Sequence, residues 1–107
     1  MLNNELVDLV IALLDNLHVR SRKMFGGVGL FSEKIMFALI YEGILYFRST
    51  EEIAHNYSEN SFQFQHPSRS SKMPYWSVHT QLIENKSKFV SWAFNAFKLA
   101  KSLKQNI

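Results

Sequence analysis

Ile35-Met36-Phe37-Ala38-Leu39-Ile40-Tyr41 carries no charged or amide side chain at any of its positions. However its side chains alternate, both faces need cover, so a strand here belongs inside a sheet with material packed on each side. Glu42-Gly43 follows, and a glycine free to take positive φ suits a two-residue hairpin turn. Ile44–Arg48 then reads as the returning strand. Upstream, Met24–Phe31 reads as one strand, and Ser32-Glu33-Lys34 turns it into the apolar run. Hairpin connections make these three strands an antiparallel meander.

Both ends of the chain have helical period instead. Leu2, Leu6, Leu9, Val10, Leu13, Leu14 and Leu17 recur at three- and four-residue steps, with Glu5, Asp8, Ala12 and Asp15 opposite. Asn3 or Asn4 is placed to cap the start. At the other end Asn85 precedes an inward stripe of Phe89, Trp92, Ala93, Ala96, Ala100 and Leu103, with Lys88, Ser91, Asn95, Lys98 and Ser102 opposite. Val90, Phe94 and Phe97 widen that apolar stripe beyond what one sheet face requires. Between these helices Ser49-Thr50-Glu51-Glu52 fits a capping box, with Ser49 as cap, for a short helix ending near Asn60. Phe62–Gln65 alternates as a half-buried strand, His66–Lys72 is a polar loop, and Tyr75–Val78 is a last strand after Pro74.

The expected fold is therefore α+β, in α-β-β-β-α-β-β-α order. One five-stranded antiparallel sheet carries helices packed on it, in a single domain over residues 1–107. Met24, Phe37, Leu39, Leu45, Phe47, Trp92 and Ala96 are the expected core.

Composition narrows the function mostly by exclusion. At 47% hydrophobic and 14% aromatic residues the chain is too apolar for intrinsic disorder. It has no cysteine, so disulfides, thiolate metal sites and thiol nucleophiles are out. His18, His55, His66 and His79 show neither an i,i+4 pair nor metal-site spacing. Gly26-Gly27-Val28-Gly29 lacks the spacing and following helix of a phosphate loop, and glycines inside a strand pattern more often mark a bulge or close packing. Asp8 and Asp15 lie on the outer helix face and Glu33 and Glu42 at hairpin tips, poor places for a desolvated acid–base pair. No enzyme, cofactor or metal is expected. Met1–Leu17 has neither the basic start nor the small-residue end of a secretory signal, and its longest unbroken apolar run, Leu9–Leu14, is far short of a membrane span. The expected location is the cytoplasm.

What remains is binding. A net charge of +3 is too small by itself to declare a nucleic-acid partner. Arg20, Arg22, Lys23, Arg69 and Lys72 are nonetheless the candidate nucleic-acid contacts if folding gathers them. Charge is also split between the ends: three acids in residues 1–19, and five lysines without an acid in 86–107. That suits docking to a protein. Val90, Phe94 and Phe97 are the candidate contacts of a homodimer.

Arg22-Lys23-Met24-Phe25-Gly26-Gly27-Val28-Gly29-Leu30-Phe31, followed by Met36–Leu39, Leu45–Phe47 and Met73-Pro74-Tyr75-Trp76, resembles the N-terminal domain of the TfoX (Sxy) family of bacterial competence regulators. The resemblance extends to the Trp92-Ala93…Ala96 helix. Its family motif is Arg22, Lys23, Met24, Phe25, Gly26, Gly27 and Gly29. His79 departs from it, since similar sequences often carry proline after the last strand. The resemblance implies the same element order in a secretion-chaperone-like fold, with no catalytic residue, cofactor or metal. It also implies positive regulation of competence genes in concert with the cyclic-AMP receptor protein, and a helical C-terminal domain in full-length members. Two roles stay open: a co-activator or adaptor working through protein contacts, which the modest charge favours, and a direct DNA-binding module.

Overall fold

The computed structural model describes residues 2–105. Its centre is a five-stranded antiparallel sheet in the order β1-β2-β3-β4-β5. The strands are β1 (Arg20–Met24), β2 (Gly27–Ser32), β3 (Ile35–Tyr41), β4 (Ile44–Arg48) and β5 (Tyr75–Ser77). Three two-residue turns join the first four. Phe25-Gly26, Glu33-Lys34 and Glu42-Gly43 all have positive φ at both positions, the backbone of a type I′ turn, whose twist matches that of the flanking strands.

The glycine-rich stretch is thus a hairpin, not one continuous strand. Four strands precede the short helix α2 (Glu51–Tyr57) and one follows it, where three and two were expected. The cause is Phe25-Gly26. Gly26 at φ 78° takes the conformation that glycine tolerates best, and Phe25 is carried with it to φ 56°. Phe62–Gln65 does not form a sheet strand of its own. It lies along the outer edge of β5 with a single bridge, Gln63 to Trp76.

Register decides which side chains share a face. Leu30 pairs with Ala38 but Phe31 pairs with Met36, which leaves Phe37 as an extra residue in β3. This bulge turns both Phe37 and Ala38 toward the helices. Met36, Leu39 and Tyr41 face the other way. Strand β3 is therefore covered on both sides, as its composition requires.

The helix side holds the main core. α1 (Asn3–Leu13) and α4 (Lys86–Gln105) pack on β3 and its neighbours. Phe37, Phe47, Phe89 and Trp92 are fully buried there, each contributing about 1.5–3 kcal/mol by leaving water. Trp92 meets the edge of Phe47 and is stacked by Tyr57 at 5.0 Å, nearly parallel. Leu39, Leu45 and Ala96 are buried as expected, whereas Met24 is only half-buried, because it sits on the outermost strand. Leu2 is exposed because it precedes the helix.

Capping follows the expectation at one helix and departs from it at two. Asn85 accepts a hydrogen bond from the Lys88 N–H at the start of α4. At α2 the cap is Thr50, whose hydroxyl accepts from the Ile53 N–H, while Ser49 is buried and donates to the Thr50 carbonyl. Neither Asn3 nor Asn4 caps α1. Asn3 lies inside its first turn and accepts from the Gly43 N–H at 2.7 Å, tying that helix to the β3–β4 turn.

Candidate interaction surface

Strand β1 carries Arg20-Ser21-Arg22-Lys23 and, among the described residues, pairs only with β2, which leaves its other side open. Its register runs one-to-one from Arg20↔Phe31 to Met24↔Gly27, without a bulge or proline. In a hairpin closed by a two-residue loop, the residues flanking the loop exchange their backbone hydrogen bonds, and bonded pairs then alternate. Met24, Arg22 and Arg20 therefore turn their backbone groups inward to β2. Ser21 and Lys23 turn theirs outward. All residues of Arg20–Lys23 are exposed.

A concavity of about 670 Å³ lies beside this edge, lined by Arg20, Ser21, Arg22, Phe31, Lys34 and neighbouring His18 and Glu33. Glu33 is already engaged: its carboxylate accepts from Lys101 Nζ at 3.0 Å. The groove is left with a surplus of positive charge.

Of the expected basic set, Arg69 joins this surface at its far end. Its guanidinium lies 5.4 Å from the centre of the Phe25 ring, on the turn that ends β1. His66 holds the same turn, its Nε2 donating to the Phe25 carbonyl at 2.9 Å while Nδ1 accepts from the Ser68 N–H. Lys72 is exposed on the segment leading back to β5. Lys34 and His18 were not among the expected contacts, because only the folded hairpin sets them beside Arg20. The signal for it was Phe25-Gly26, an X-Gly pair disguised by an aromatic where Asn or Asp is usual.

The remaining motif residues are structural. A Cβ on Gly27 would collide with the backbone carbonyl of Ile40, and one on Gly29 would lie 2.5 Å from Met24 Sδ. Close packing, one of the two expectations for glycine here, is what these positions require. Phe97 is buried against the Phe37 ring, so it already has a partner within the chain, and Val90 and Phe94 are half-buried on the same core. The wide stripe of α4 is thus largely used internally, and Phe97 is withdrawn from the candidate dimer contacts.

The histidines are scattered. His55 bonds the Ser61 carbonyl and His79 caps α3 (Thr80–Glu84) through Nδ1, filling the place where a proline was expected. Among the described residues no three His, Asp or Glu side chains converge on a metal position. Nor is any helix there long and apolar enough to cross a membrane. Two buried tyrosines titrate abnormally. Burial raises the Tyr46 hydroxyl, with Glu42 and Tyr41 adding to it. Burial also raises that of Tyr75, although Arg48, over its ring at 5.9 Å, opposes the shift.

Fold and surface together describe a small single-sheet α+β domain whose most open feature is a sheet edge. Residues 12–100 match the family model of the TfoX N-terminal domain, and the chain belongs to that family. It is 40% identical over 68 residues to the DNA transformation protein TfoX1 of Aliivibrio fischeri, an alignment covering 61% of this chain and 32% of that protein. The chain thus spans about a third of the length of the curated relative it matches.

Proposed function

We propose that this domain is a non-enzymatic regulatory module of DNA transformation, serving as a transcriptional co-activator or adaptor for competence genes through protein–protein contacts. The partner class the resemblance implies is a transcription activator such as the cyclic-AMP receptor protein, met in the cytoplasm. The observation that carries this reading is the free edge of β1, a regular strand whose outward backbone groups have no described neighbour. Main-chain groups of this kind recognise another polypeptide. Exposed Glu5, Asp8 and Asp15 on and after α1, against the lysines of α4, add a charge pattern suited to protein docking.

Direct DNA binding is the second reading, favoured by the placement of Arg69 at the end of the strand that carries Arg20, Arg22 and Lys23. Phosphate contacts by those four side chains are what this reading expects.

Transcription from an activator-dependent competence promoter, reconstituted with purified activator and polymerase, tests the first reading. The chain is expected to raise transcript yield only when activator is present. A salt titration of duplex binding tests the second: four phosphate contacts give a log–log slope of about −3.6, from ~0.9 per contact. A slope that steep with sub-micromolar affinity at low salt makes the domain a DNA-binding module, whereas stimulation without duplex binding keeps it an adaptor.

A further inference from the structure

The adaptor reading leaves open how a partner is held, and we infer that β1 takes up an acidic extended segment of the partner protein as an added antiparallel strand. The inference rests on that reading and commits it to one surface. Ser21 and Lys23 offer two outward N–H donors and two outward carbonyl acceptors, enough to register a short strand. No bulge or proline interrupts them, and these are among the devices by which sheet edges are usually blunted.

Side chains then set the chemistry of the occupant. Arg20 and Arg22 share one face of the sheet, opposite Phe31 and Gly29, and Lys23 projects on the other. A directly opposite side chain on an added strand lies about 4.5–5.5 Å away at Cβ, and opposite charges there are favourable. Read against Lys23, Arg22, Ser21 and Arg20 in turn, the matching antiparallel segment is acid, acid, small polar, acid. Lys34 extends the positive groove beyond Arg20, and Glu33 does not neutralise it because Lys101 already holds that carboxylate.

The same charges disfavour a second copy of this chain at this edge. Two β1 strands paired antiparallel about Arg22 would set Arg22 against Arg22 and Lys23 against Ser21, with Arg20 facing Met24. Like charges directly opposite are destabilising, and no acid on β1 relieves them. The edge discriminates against its own kind.

The test uses the full chain and a synthetic peptide, acetyl-Thr-Val-Glu-Glu-Thr-Glu-Val-Thr-amide, followed by amide chemical shifts. Saturable shifts centred on Ser21 and Lys23 are expected, with slowed hydrogen exchange at those two amides. Arg22→Glu is expected to weaken the peptide at least tenfold, and a peptide with lysine at each glutamate to leave β1 unshifted. N-methylation of the peptide residues facing Ser21 and Lys23, which keeps every charge, is expected to abolish the exchange protection. An unshifted β1 at millimolar peptide overturns the inference, and so does equal binding by the N-methylated peptide or by a duplex DNA oligomer. If the peptide fails while activator-dependent transcription is still stimulated, the adaptor role stands and this edge is not its contact. Loss of stimulation in wild type overturns the reading beneath it.

Discussion

The two edges of the sheet are finished differently. At the β5 edge the chain supplies its own cover. The Phe64 N–H donates to the Tyr75 carbonyl at 2.8 Å and the Ser77 N–H to the Phe62 carbonyl at 2.9 Å. The segment then drops Phe64 onto the second face of the sheet, against the rings of Tyr41 and Tyr46 at 5.3 and 4.9 Å. At the β1 edge no strand follows among the described residues, and Arg20–Lys23 stand in its place. One edge is closed by aromatic burial and backbone pairing, the other is only protected by charge. Charge deters self-pairing without using up the backbone groups, so an edge defended in this way stays available to a partner of opposite sign.

Breaking the closed edge is expected to cost the most. Phe64 is 2% exposed, and Phe64→Ala removes the aromatic that fastens the covering segment, for about 3–5 kcal/mol by analogy with other core aromatics. Urea unfolding measures it. Next comes Gly27→Ala, which presses a methyl group into the Ile40 backbone where no side chain can yield. Overpacking of this kind costs about 1–3 kcal/mol, and the midpoint of the same titration is expected to fall accordingly. A smaller effect is expected from alkali. Tyr46 and Tyr75 have pKa values raised above 10.0, so the unfolded chain loses those protons first. Their contribution is complete below pH 10 and is lost as pH rises through the raised values. Stability measured from pH 8 to 11 is expected to hold and then decline, and Tyr46→Phe to flatten the decline. The smallest effect on folding belongs to the open edge: Arg22→Glu, on an exposed side chain, is expected to stay within about 0.5 kcal/mol of wild type. The contrast between Phe64→Ala and Arg22→Glu is the thermodynamic form of the difference between the edges.

Much of the closed part of the molecule was legible in the sequence. The seven apolar residues of β3, the Glu42-Gly43 turn and the stripe of Phe89, Trp92 and Ala96 each fix a local choice that agrees with the sheet they enter. The open edge was harder to read. The Glu33-Lys34 turn was expected, but Phe25 turns at positive φ with an aromatic where Asn or Asp is usual beside the glycine. Only the tertiary hairpin reveals that Arg20–Met24 is a strand in its own right. The bulge at Phe37 was also hidden, because a run apolar at every position looks the same in either register. Phe97 illustrates the converse. Its place on a wide apolar stripe suggested an outside partner, yet the Phe37 ring, turned inward by that bulge, accommodates it within the chain.

Amide hydrogen exchange on the free chain tests the difference between the edges most directly, because it reads the same group at both. The Ser21 and Lys23 amides are expected to exchange near the rate of an unstructured chain, while those of Phe64 and Ser77 are slowed by orders of magnitude. Protection of Ser21 and Lys23 equal to that of Ser77 would contradict it, since the β1 edge would then be as closed as the β5 edge.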